Sequence, residues 1–237
     1  MKYFANFDKI SYDILGDGST REITNIFRKF RVNPLFLDNI TFYRYYTIRN
    51  GERPDTLSFK LYGKTDFYWT FSVLNPWLID MKKDWPMDST ELEHYIEDKY
   101  KNKSLIINDL ALASKYQIGE TVQGLVSNAT GVIVNKNVNL KQITLSDVTG
   151  SFQNGELIFG QTSQDYLNVD FYVDEANAIH HYELSDGTIV DRFTVGAQGI
   201  TNSEYEIAVN ENHSIIKVIR PELITEVSKR FMDIIKS

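Results

Sequence analysis

The chain changes character near residue 103, and that break constrains its fold more than any single motif. Residues 1–103 hold 16 Lys and Arg against 15 Asp and Glu, residues 104–212 hold 4 against 14, and residues 213–237 hold 5 against 3. Aromatic residues shift at the same place: 21 of the 31 Phe, Tyr and Trp, including all 3 Trp, lie in the first 103. Coincident breaks imply separate folding units, read here as 1–103, an acidic 104–212 and a short 213–237. With 237 residues the two larger pieces can each bury a core. An acidic middle with almost no Lys or Arg cannot neutralise phosphates, so nucleic acid is excluded as its partner. There are no cysteines, which removes disulfides, thiol chemistry and Cys-based zinc sites. The start of the chain has no signal-peptide pattern, and no stretch has the roughly 20 apolar residues that span a bilayer, so no membrane partner is expected.

The first segment reads as helices around one strand. Thr20 to Phe30 places Ile23, Ile26, Phe27 and Phe30 at helical spacing before Pro34. Phe42 to Arg49 is aromatic and β-branched, as a strand would be, and Asn50-Gly51 makes a turn. Asp55 then fits an N-cap for a helix ending at Tyr62-Gly63, and Thr65 one for a helix ending at Asn75-Pro76. Asp88 to Glu91 resembles a capping box for a helix reaching about Tyr100. Near the end, Ile215–Ile219 reads as a strand. Pro221 opens a helix whose apolar stripe runs through Leu223, Val227, Phe231 and Ile234 or Ile235.

From 105 onward short apolar runs alternate with Gly, Asn and Asp. Asp186-Gly187 predicts a hairpin with a type I′ turn. A repeat is also present: Tyr116–Ser127 and Phe152–Ser163 share aromatic-Gln-x-Gly-Glu-x-(Val/Ile)-x-Gly-x-x-Ser. Two copies suit paired strand-turn-strand units in one small barrel or sandwich. The fold class is therefore α+β: a helical N-terminal domain, a β-rich inserted domain, and a C-terminal strand plus helix.

Enzyme motifs are missing, and neither a catalytic residue nor a cofactor site is assigned. His180 and His181 are expected on opposite faces of a strand, badly placed to share a metal. Asp13 to Gly18 is acidic and Gly-rich but lacks the alternating ligands of a calcium loop, so it reads as a turn. The aromatic density between residues 43 and 77 exceeds what a small core needs, and Tyr and Trp anchor protein interfaces. Phe27, Phe30, Tyr43, Tyr45, Trp69, Trp77 and Phe231 are the candidate contact residues.

Tyr45 to Gly63 (YYTIRNGERPDTLSFKLYG) and Tyr68 to Pro76 (YWTFSVLNP) resemble the first half of a LysM module. The second LysM strand, usually announced by Pro-Gly, has Trp85-Pro86-Met87 as its nearest counterpart. Together with Asn6–Ile10, Thr24–Phe30 and the stretch from Asn210 to the closing helix, this core resembles the baseplate wedge family of T-even-type phages known as gene product 53. The resemblance implies a LysM-like domain and a structural role in a contractile tail baseplate, joining wedges around the hub in about six copies. It also implies a protein made in the host cytoplasm, with other wedge and hub proteins as partners, no cofactor and no catalysis. A LysM-type module holding peptidoglycan is the alternative, and the altered turn Gly51–Thr56 argues against that partner.

Overall fold

The computed structural model describes residues 7–25, 40–107 and 115–236, which leaves Phe27 and Phe30, and the side chains of Ile234 and Ile235, outside the described set. The chain divides into two compact units, one made of Met1–Ser89 with Asn210–Ser237, the other of Thr90–Val209.

In the first unit, β1 (Lys9–Tyr12) and β2 (Arg21–Thr24) form an antiparallel hairpin. The helix expected from Thr20 is therefore wrong over 21–24, where Ile23 pairs with Ile10 across a ribbon. The turn between them is organised by Asp13, whose carboxylate accepts backbone N–H bonds from Leu15, Gly16, Asp17 and Gly18. Its oxygens are occupied by the turn itself, as expected of a local motif.

The core of this unit is a strand, two helices and a distant strand. β3 (Tyr43–Thr47) leads into α1 (Pro54–Tyr62), a short 3₁₀ turn at Thr65–Phe67, and α2 (Trp69–Leu74). Pro54 supplies the φ that a first helical turn needs. The cap is Arg53 rather than the expected Asp55: Thr56 Oγ1 accepts the Arg53 N–H at 3.1 Å. Gly63 ends α1 at φ +69°, its N–H donating to the Phe59 carbonyl. The antiparallel partner of β3 comes much later in the chain, at Ile215–Ile219. Leu57, Phe71, Leu78, Trp85, Ile216 and Val218 form one buried cluster, and Tyr43, Leu74, Ile219 and Ile224 a second. Asn75, also buried, accepts the Lys217 N–H and donates to the carbonyls of Lys217 and Phe71. One amide thus fastens the end of α2 to the late strand.

The second unit begins within α3 (Ser89–Lys99) and contains a closed six-stranded barrel. Its strands are β4 (Lys103–Ile107), β5 (Thr121–Gly124), β6 (Thr130–Asn137), β7 (Gln142–Thr149), β8 (Leu157–Gly160) and β9 (Tyr166–Asp174), in the order β4-β7-β6-β5-β8-β9. Barrel, not sandwich, is the outcome, and closure leaves no free edge. Alternation along β5 and β9 sends Val122, Leu167 and Val169 inward with Leu105, Ile133, Ile143, Leu145 and Ile158. A separate sheet follows, with β10 (Ile179–Glu183) between β11 (Ile189–Val190) and β12 (Gln198–Thr201). The hairpin falls at Asp186-Gly187 as expected, but only Gly187 has positive φ, so the turn is not type I′. Next comes α4 (Asn202–His213), a helix where β structure was expected. Its buried residue is Glu206, which accepts from Lys99 Nζ and Tyr100 Oη at 2.6 and 2.7 Å. The late strand is β13 (Ile215–Ile219), and α5 (Ile224–Lys236) closes the chain after the Pro221–Leu223 turn.

The repeat becomes a pseudo-two-fold. β5 and β8 pair antiparallel with Val122 opposite Gly160, Gln123 opposite Phe159 and Gly124 opposite Ile158. Each copy's Glu caps the other's Gly-x-x-Ser turn. Glu120 accepts from the N–H groups of Thr162 and Ser163 and from Ser163 Oγ. Glu156 accepts from the N–H groups of Val126 and Ser127 and from Ser127 Oγ. Burial pushes both carboxyls up, but bonds from Ser163, Gln117 and Thr162 to Glu120, and from Ser127, Gln153 and Val126 to Glu156, together leave both below their ordinary value. With folded values depressed, the two groups stabilise the fold above the unfolded value, and that contribution is lost as pH falls through the lowered ones. The melting temperature is therefore expected to drop below about pH 4.5, and the Glu120→Gln, Glu156→Gln pair to flatten that drop. An acid limb unchanged by the double substitution would contradict this assignment.

Candidate interaction surfaces

The seven residues proposed as contacts from sequence sort into different environments. Tyr43 is buried, its ring meeting Tyr45 edge-on at 5.7 Å, with Lys217 Nζ above it at 4.6 Å. Trp69 is buried and stacks on Phe231 at 4.2 Å, which seats α5 on α2. Trp77 is half-buried and stacks on His213 at 4.4 Å. Tyr45 stays largely open, at 61% exposure. Phe27 and Phe30 lie outside the described residues.

Among the described residues three more aromatics of this unit are exposed, Tyr12, Phe59 and Tyr68, none of them in that set. Phe59 could have been: α1 buries Leu57 and Ser58, and a residue one or two positions further on leaves that face.

Beside Tyr45 the strand is anchored to the loop before α1. Tyr46 Oη donates to Glu52 at 2.8 Å, and Lys60 Nζ donates to both Tyr46 Oη and Glu52. Burial raises the Glu52 carboxyl, yet bonds from Lys60, the Arg49 backbone and Tyr46 leave it below its ordinary value. Trp85 Nε1 donates to the Glu52 carbonyl at 2.7 Å, so the loop is held from two sides. Arg53 and Asp55 form an exposed ion pair at its rim.

The histidine pair departs from expectation. A register shift between Ile179 and His181 brings the two rings together, Nδ1 to Nδ1 at 2.8 Å, instead of onto opposite faces. His180 stacks flat on Tyr205 at 3.9 Å, and His181 Nε2 meets Glu183 at 3.3 Å. Burial first, then His181, lowers the His180 pKa. Among the described residues no three His, Asp or Glu side chains are grouped to hold a metal ion. Among them too, no helix is long and apolar enough to cross a membrane.

No curated protein matches the chain. A family model does. Residues 2–112 match the family described as base plate wedge protein 53, and this stretch is similar to it.

Proposed function

We propose that the protein joins neighbouring wedges around the central hub of a contractile tail, about six copies to a baseplate, through protein contacts alone. Catalysis and a cofactor play no part in this role. The observation that carries it is the match of residues 2–112 to the wedge family. The order strand, helix, helix, strand in β3, α1, α2 and β13 supports a LysM-like core, its second strand supplied by β13 and not by the region of Trp85-Pro86-Met87. The acidic Thr90–Val209 unit is then an insertion between the second helix and the second strand.

With β13 in that place, the strand order alone does not argue against a glycan groove. What still argues against one is the loop before α1, filled by Trp85, Tyr46 and Lys60 and rimmed by the Arg53–Asp55 pair. Tyr45 is the proposed anchor. Tyr43 supports it from behind, Trp69 and Phe231 fix α5, and Trp77, Phe27 and Phe30 complete the proposed contact set. The test is a pull-down against separately purified wedge and hub proteins, run beside sedimentation with peptidoglycan. Capture of a wedge protein, weakened roughly tenfold by Tyr45→Ala, is expected. Saturable sedimentation with peptidoglycan and no capture of a tail protein would overturn the proposal.

A further inference from the structure

The two repeat copies serve as each other's control. Gly124-Leu125-Val126-Ser127 and Gly160-Gln161-Thr162-Ser163 build the same turn, each capped by the other copy's Glu through backbone N–H groups and the Ser hydroxyl. The middle two side chains take no part in that capping. In the second copy they are polar; in the first they are Leu and Val, 50% and 63% exposed. Leu157 adds to them: the Leu125 N–H donates to its carbonyl at 2.9 Å, and its side chain is 45% exposed. Its counterpart in the first copy is the polar Thr121. The caps fix none of these three side chains, yet the matched positions are apolar in one turn and polar in the other. Exposed apolar groups that the fold does not need mark a contact.

Charge says what kind. Residues 90–209 hold 17 Asp and Glu against 7 Lys and Arg. Such a unit repels a second copy of itself and an anionic lipid surface, and attracts a basic protein surface. We infer that Leu125, Val126 and Leu157 form a docking site for another tail protein, one with an apolar centre and a Lys/Arg-rich rim. The inference rests on the baseplate reading for its setting.

Full-length chain carrying a photo-crosslinking phenylalanine at Val126, or at the matched control Thr162, is assembled into tails and irradiated. Position 126 is expected to capture a different tail protein at a basic surface, with a yield several-fold above position 162. If the chain is in tails but 126 gives no adduct, an adduct only with a second copy, or no more than 162, the docking inference is overturned and the baseplate reading stands. If the chain is absent from tails, both fall. Leu125→Gln with Val126→Thr copies the second turn into the first, so melting should be unchanged while capture of the crosslinked partner weakens by roughly tenfold or more. Unchanged capture would also overturn the inference.

Discussion

Asn75→Ala is expected to destabilise the first unit by about 2–4 kcal/mol, among the largest effects of any single polar substitution in it. Asn75 is 4% exposed and makes three bonds with its amide. Two of them reach the N–H and carbonyl of Lys217, so the amide occupies the outer side of β13 as a neighbouring strand would. Alanine removes these partners at a site where water does not readily replace them. Denaturant unfolding should show a lower midpoint, and amide exchange at Lys217 should quicken. Asn75→Asp should also destabilise, because a carboxylate cannot donate to the two carbonyls. An unchanged midpoint in Asn75→Ala would mean that packing by Ile216, Val218 and Ile219 alone holds the strand.

Gly160→Ala should be as damaging to the barrel, costing about 2–4 kcal/mol. A Cβ at Gly160 would collide with Glu120 Oε1, Ser163 Oγ and the Tyr116 ring. These are the groups that close the reciprocal cap, so the collision cannot be relieved by moving one flexible tip. Gly124→Ala should behave alike, since its Cβ would meet Ser127 and the Glu156 carboxylate, at 2.6 and 2.7 Å from the carboxylate oxygens. Thermal melts of the whole chain measure both. A pair of alanine variants as stable as the parent would show that the turns can open without cost.

What could be read from the sequence was local. Tyr43–Thr47, the helix stop at Gly63, and the Pro221 turn declare themselves through residues within a few positions. The pairing of Tyr43 with Ile219 leaves no such trace, because strand partners so far apart in sequence share only general strand character. The 21–24 strand was misread because Ile23, Ile26, Phe27 and Phe30 have helical spacing, while a four-residue ribbon is too short to display alternation. Helix α4 escaped because its buried residue is a glutamate, satisfied by Lys99 and Tyr100, which no hydrophobic pattern reveals. The repeat was visible as a pattern. Its reason was not, since each Glu bonds to a turn in the other copy.

The proposed site was legible in part. Aromatic density pointed to the first unit, where burial places Tyr43 and Trp69 in the interior and leaves Tyr45 open. Nor could the sequence foresee that the two histidines meet, because a bulge reverses the side-chain alternation on which the expectation rested.

The central claim is that this chain is a built-in part of the baseplate. Quantitative mass spectrometry of purified tails, with peptides of this chain counted against those of the hub proteins, tests it most directly. The account predicts about six copies per tail, one for each wedge of a six-fold ring. Purified tails that lack the chain while it accumulates free in the same lysate would contradict it.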